Sequence, residues 1–331
     1  MNILVDHDLE GHAVILWGAL AAFEGGIGPR NVDLPGDESQ KGRRMLLAAV
    51  VSLEALEKGV IRRATGRDVH GLWFDQWSRA APAVADRLHA GSSLRPFTLS
   101  PLMGLPHPRR GEVLVEEGAT AWFRVTTLEA ALSARLEADW LPRLPAEVSL
   151  GGLRWRVVGA ATRGDSHPWA GRVGAQQLAE EHLLNRAPPV RWQVTLAAPT
   201  AFHGAEGHIP FPLPNLLVGS WLRRWQAFGP VQLPVETVAW AWQRLAVSAY
   251  RLKTRPVRDR HRTAIGCVGR LTLRALRMKP GERAVVDLLS AYAFWCGSGH
   301  HTTQGMGLTR TRPLTPTGGR NGTCQKTKKG V

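Results

Sequence analysis

Cysteine is scarce in this chain: Cys267, Cys296 and Cys324 are the only three, and no two stand at a paired spacing. That spacing indicates neither a disulfide framework nor a zinc knuckle, and it fits a reducing cytoplasm. Long apolar runs are missing as well. Val14 to Phe23 is too short to span a bilayer and follows an acidic start at Asp6, Asp8 and Glu10. It reads as neither a membrane helix nor a secretory signal, so a soluble protein kept in the cytoplasm is expected, with no membrane partner. Tyrosine is almost absent, two residues against thirteen tryptophans. Most of those tryptophans fall at apolar positions of periodic segments, which assigns them to a core. Acidic residues are the last shortage: 27 against 42 basic ones, a net charge of +15. A surplus of that size points to nucleic acid or another anionic surface, because counterions released from phosphate favour association.

What is present in quantity is glycine, concentrated in one stretch, Phe294 to Arg310 (FWCGSGHHTTQGMGLTR). Gly297, Gly299, Gly305 and Gly307 follow an apolar helical run and lead into a short alternating segment. Glycine tolerates positive φ and carries no side chain, so such a loop can bring backbone N–H groups close to phosphate. Two familiar phosphate motifs do not fit. A P-loop requires Lys-Ser/Thr after its last glycine, where Met306 and Gly307 stand. A dinucleotide fingerprint requires a third glycine where Thr302 stands, after a strand rather than a helix.

The chain of 331 residues is long enough for two modest domains. Residues 1–44 read as an N-terminal extension. From Met45 the pattern sharpens: Leu46 to Leu53 reads as a buried strand, and Val69 to Trp77 and Val84 to Leu88 as helical pieces interrupted at Pro82. Pro96 to Leu102 is a short strand, followed by a proline-rich loop with His107, Arg109 and Arg110. Thr120 to Thr127 is another strand, Leu128 to Leu141 an amphipathic helix, and Val148 to Ala161 a hairpin turning at Gly151-Gly152. A linker with a helical piece at Ala175 to Leu184 completes a first domain over residues 45–185.

The same order then repeats over residues 186–313. Arg191 to Leu196 alternates as a strand, and Leu216 to Phe228 is a helix. Leu245 to Lys253 and Gly269 to Leu276 are strands joined by a long basic connection. Arg283 to Trp295 is the second helix, and Gly307 to Arg312 the closing strand. Two consecutive β-α-β-β-α-β units predict an α+β fold of tandem ferredoxin-like domains, with the glycine-rich loop between the last helix and the last strand. Residues 314–331 read as a disordered basic tail.

Three further stretches carry a resemblance: HGLWFDQWSRAAPAVADRLH at His70 to His89, PFTLSPL at Pro96 to Leu102, and FPLPNLLVGSWLRRWQAF at Phe211 to Phe228. Together with the tandem units and the terminal GxG…GxG loop, they make Met45 to Arg312 resemble the CRISPR repeat-processing endoribonucleases, the Cas-six family of RAMP proteins. The resemblance implies metal-independent cleavage of the repeat in precursor RNA without a cofactor. The ribose 2′-OH attacks the adjacent phosphate, leaving a 2′,3′-cyclic phosphate and a 5′-OH. Its partners would be precursor and mature guide RNA, and it admits other CRISPR effector subunits and a homodimer.

The resemblance also assigns residues. His89 falls where the family's Leu-His closes the first helical region and is expected as general acid/base; imidazole titrates near neutrality. Arg95 matches a position where members place a lysine beside the scissile phosphate. Phe74 stands where some members carry tyrosine, so the second proton-transfer group must come from elsewhere, and His70, one turn earlier, is the obvious substitute. His300, His301, Thr302 and Thr303 lie inside the glycine loop within reach of phosphate. A metal grouping of His300 and His301 with Cys296 and His203 has no supporting ligand spacing, so no metal is expected. Charge alone singles out Arg251 to Arg262 (RLKTRPVRDRHR), where Arg251, Lys253, Arg255, Arg258, Arg260 and Arg262 oppose only Asp259. Arg270 and Arg274 extend that face on alternate strand positions, a basic hairpin suited to A-form RNA. Arg223 and Arg224 are lesser candidates. Two other readings stay open: a RAMP-type subunit that holds repeat RNA without cutting it, and an unrelated tandem ferredoxin-like RNA-binding protein. Phe74 keeps the first alive; the missing aromatic ribonucleoprotein signature counts against the second.

Overall fold

A computed structural model describes residues 45–62, 64–90, 94–106, 111–204, 207–258 and 263–314. The N-terminal extension, nearly all of the tail, and His107, Arg109, Arg110, Arg260 and Arg262 lie outside the described residues. The first domain runs β1 (Met45–Ala55), β2 (Gly59–Ile61), α1 (Gly66–Ala80), α2 (Pro82–Ala90), β3 (Phe97–Leu99), β4 (Val113–Val115) and β5 (Thr120–Thr127). It continues with α3 (Ala130–Arg135), a π turn to Trp140, β6 (Glu147–Leu150), β7 (Leu153–Ala161), β8 (Gly171–Gly174) and α4 (Ala175–Leu183). The second runs β9 (Arg191–Thr200), β10 (Phe202–Gly204), β11 (Gly207–Ile209), α5 (Pro214–Phe228) and α6 (Thr237–Arg244). It closes with β12 (Leu245–Arg258), β13 (Thr263–Ala275), α7 (Pro280–Cys296) and β14 (Thr309–Pro313).

The sheets are ordered β3-β5-β1-β7-β6 and β12-β13-β9-β14, all antiparallel. In each, the unit's first strand lies between its third and its last, the ferredoxin-like order. β8 pairs with the start of β1, on the edge that β7 leaves free.

β1 shows why the two domains form one body. Its sequence, MLLAAVVSLEA, does not alternate between apolar and polar, the signature of a strand covered on both faces. Leu47, Ala49, Val51 and Leu53 pack with Trp73, Trp77, Phe123 and Trp140 of the first core. Leu46 and Ala48 belong instead to the second core, with Leu289, Tyr292 and Trp295 of α7. α7 is buried around most of its circumference, as a helix must be when it serves two domains. Thr126 of β5 seals the junction by donating its hydroxyl to the Trp295 carbonyl at 2.8 Å.

Several elements differ from the sequence expectation. The basic connection after Lys253 is strand: β12 and β13 pair without a break from Lys253↔Val268 out to Arg258↔Thr263. Most of this outer arm is half-buried or exposed on both faces, so no apolar alternation announces it. The Leu128 to Leu141 helix widens into a π turn, which lets the Trp140 indole reach the Trp73 carbonyl at 3.2 Å. The β10–β11 hairpin and α6 are too short to produce a periodic signal. Among the described residues no helix is long and apolar enough to cross a membrane.

One buried polar contact ties three elements of the second core. Asp287 of α7, 4% exposed, accepts the Trp192 indole N–H at 2.7 Å and bonds His182 of α4 at 2.7 Å. Asp287→Ala leaves the indole without an acceptor, and should cost about 2–4 kcal/mol of stability. Urea unfolding checks this; a loss below about 0.5 kcal/mol would mean water replaces the carboxylate.

Candidate active site and RNA interface

The glycine turn joins α7 to β14. Gly297, Gly299, Gly305 and Gly307 all have positive φ, between 68° and 88°. The reason is crowding as much as conformation. A Cβ on Gly299 would lie 2.1 Å from the Ala201 carbonyl oxygen, and one on Gly305 2.5 Å from Cα of Gly66. The turn is therefore a wedge clamped between the domains, and the expectation of an N–H cradle for phosphate is corrected at three of its glycines. The Gly297, Gly299 and Gly307 amides donate to Ala293 O, Ser220 Oγ and Pro199 O. His300 N–H likewise donates to Ala201 O at 3.0 Å.

Arg224 and Thr302 change role as well. Arg224, 7% exposed on α5, donates to the Gly299 carbonyl at 3.2 Å and to Thr302 Oγ1 at 2.8 Å. It anchors the turn from beneath, and the Thr302 hydroxyl faces the interior with it. Trp221 adds an indole bond to Ser298 Oγ at 2.8 Å. No signal in the sequence separates this arginine from exposed Arg223 beside it; only the position of the turn does.

The close approach of Gly305 to Gly66 brings the start of α1 against the turn. His70 Nδ1 then lies 2.9 Å from the Thr303 carbonyl. A carbonyl only accepts, so Nδ1 carries the proton and Nε2 of the neutral ring is left as a proton acceptor. Burial lowers the His70 pKa; the Thr303 carbonyl opposes this, and His89, Arg67 and Arg95 lower it further. Phe74, one turn along α1, meets His70 edge-on at 4.9 Å and stacks on His89 at 3.9 Å. The structure thus gathers His70, Phe74 and His89, from two helices, at one surface beside the glycine turn. His89 is exposed, at the end of α2. Arg95 is less free than expected: its Nη atoms donate to the carbonyls of Leu88 and His89, the second at 3.0 Å, and so close the C-terminal end of α2.

The cationic residues form a rank across the open face of the second sheet. Arg251 of β12 is in register with Arg270 of β13, Arg270 with Thr195 of β9, and Thr195 with Arg310 of β14. Arg274 stands opposite Arg191, while Lys253 and Arg255 continue outward along β12. No carboxylate occupies a partnered position for any of these residues. Like charges set directly opposite destabilise a sheet, so this face is arranged for a polyanion rather than for its own stability. Exposed Tyr250, beside Arg251, meets Phe211 edge-on at 6.0 Å.

Two βαββαβ units sharing cores, with a glycine turn at their seam, two histidines beside it and a cationic sheet face, define a protein of the tandem ferredoxin-like class. Residues 46–180 match the model described as the CRISPR Cas6 N-terminal domain, and residues 194–309 that described as CRISPR-associated endoribonuclease Cas6. The chain belongs to the Cas6 family of CRISPR-associated endoribonucleases. Among solved structures it is similar to a Thermus thermophilus Cas6 product complex, at 28% identity and a TM-score of 0.66, covering 81% of this chain and 100% of that one. A second Thermus Cas6 product complex is 29% identical with a TM-score of 0.65, covering 81% of this chain and 99% of that one. The same Cas6 in a substrate mimic complex is 28% identical with a TM-score of 0.63, covering 81% of this chain and 100% of that one. No curated protein matches the chain.

Proposed function

We propose that this protein cuts the CRISPR repeat in precursor RNA without a metal ion, using the ribose 2′-OH beside the scissile phosphate as nucleophile. The observation that supports this most directly is the His70–Phe74–His89 array held against the glycine turn. His70 Nε2 takes the 2′-proton as the 2′-oxygen bonds to phosphorus. The bond from phosphorus to the 5′-oxygen breaks, and His89 in its protonated form supplies the proton that oxygen needs. The products are a 2′,3′-cyclic phosphate and a 5′-OH. Phe74 carries no hydroxyl and acts as the spacer that keeps the two imidazoles apart. Arg95 is a positioning residue that holds the end of α2 where His89 projects, its charge remaining close to the site. The substrate brings its own nucleophile, so alignment of the RNA is the main task. The cationic rank from Arg251 to Arg310 and the outer arm of β12 supply it, with His301 and Thr303 at the edge of the turn.

End-labelled repeat RNA in excess EDTA tests the proposal. Wild type should yield the cyclic phosphate, and His89→Ala should cut more slowly by about two to four orders of magnitude with RNA affinity nearly unchanged. A tight complex with intact RNA would instead make the protein a repeat-holding subunit. The lowered His70 pKa sets a pH limb. The base works in its neutral form, so single-turnover cleavage should hold down to the ordinary histidine range and fall only at more acidic pH, a limb absent from the residual activity of His70→Ala. An unchanged limb in that variant would remove His70 as base. Replacing Arg251, Arg255 and Arg270 together by glutamine should flatten the salt dependence of binding by about three phosphate contacts; an unaltered slope would take this face out of the interface.

A further inference from the structure

A second histidine cluster gathers at the glycine turn and has no place in the cleavage step. His203 and His208 are cross-strand partners in the β10–β11 hairpin, both exposed, and they close over His300 and His301 of the turn. The His300 ring stacks on His203 at 4.7 Å, lies 4.4 Å from His208, and is 4.5 Å from His301. His300 is 6% exposed; its Nε2 is 2.8 Å from His208 Nδ1, and its Nδ1 is buried without a partner.

The charges around the cluster decide what it takes. Arg223 of α5 acts on His203, Arg67 of α1 acts on His301, and the histidines act on one another. Arg224 lies beneath, tied to the turn. No carboxylate acts on His203, His300 or His301 among the described residues, which do not include Glu206 between the two strands. Two arginines and stacked rings repel a metal ion, and among the described residues no group of His, Cys, Asp and Glu is arranged to hold one. An anion meets the opposite field.

We propose that the hairpin and turn histidines, His203, His208, His300 and His301, form a phosphate site for the RNA strand that takes up protons as it fills. This rests on the RNA-binding reading above. In the free protein burial and the neighbouring positive groups hold His203 and His301 below the ordinary histidine value, and His300 at about 3. A phosphate reverses the field at the exposed rings and raises their pKa. Buried His300 stays neutral and offers Nε2 as the acceptor for the His208 Nδ1–H. Affinity is then greatest at low pH and is lost as pH rises through the raised values. Each proton taken up makes binding about tenfold weaker per pH unit across that window.

Calorimetry at pH 7 with repeat RNA carrying a 2′-deoxy nucleotide at the cleavage position, in buffers of different ionisation enthalpy, reads the protons directly. Uptake of about one proton per RNA is expected in the wild type. It should drop by at least half in the double variant His203→Gln, His208→Gln, whose side chains lie at the surface. Comparison with the variant removes any contribution from His70 and His89. Tight binding without proton uptake by the wild type, or equal uptake by the variant, would overturn the histidine site while leaving the RNA-binding reading intact. Absence of repeat RNA binding at pH 6 and pH 8 would overturn both.

Discussion

The approach of Gly66 to Gly305, backbone against backbone, is the constraint on which the rest of the molecule depends. One glycine opens the first helix of the first domain and the other lies in the last turn of the second. Neither position has room for a Cβ. Their contact places a ring nitrogen of α1 within hydrogen-bond distance of a carbonyl in the turn, and so sets the tautomer of His70 by a bond that crosses the seam. A histidine of the first domain is thus oriented by the second. The proposed cleavage, whose nucleophile belongs to the substrate, would gain from this arrangement, because two packed domains hold the His70 ring more firmly than a surface loop would.

The seam is also where the protein accepts electrostatic cost. Arg124, 2% exposed on β5, has no carboxylate partner among the described ion pairs. It donates to the Trp169 carbonyl at 2.7 Å and lies 4.1 Å from the centre of the Phe294 ring. Burial, and next the charge of Arg310, push its pKa down to about 9, so it remains a cation at neutral pH. The aromatic faces replace part of the hydration it loses. Arg310 connects this buried charge to the rank on the open sheet face, making the positive potential continuous from the domain junction outward. Repulsion within that rank offers nothing to folding, and its relief by a polyanion favours binding.

Much of this architecture was legible in the residues. β5, α5 and α7 announced themselves because their apolar positions repeat at strand or helix spacing, and β1 as a nearly unbroken apolar run; the tandem order of such segments specifies the ferredoxin-like units. His70, Phe74 and His89 were singled out only through the family resemblance of the stretch that holds them, and the arginine run because its charge is lopsided. The role of Arg224 was not legible: an arginine between tryptophans on a helix reads as a solvated face until a turn from 75 residues away is known to rest on it. The purpose of Gly297, Gly299 and Gly307 was misread for the same reason, since glycine that avoids a clash and glycine that admits a phosphate look identical in sequence. His203 and His208 gave no signal either, because two three-residue strands are too short to show a period.

Local periodicity, composition and charge therefore determined the elements, their order, the apolar faces and the basic character of the protein, since each is a property of neighbouring residues. The tertiary structure alone decided which histidines meet, which ring nitrogen is left bare, which arginine is buried beneath the turn and which cations line up across four strands. Those are relations between segments far apart in the chain, created when one helix is shared by two cores.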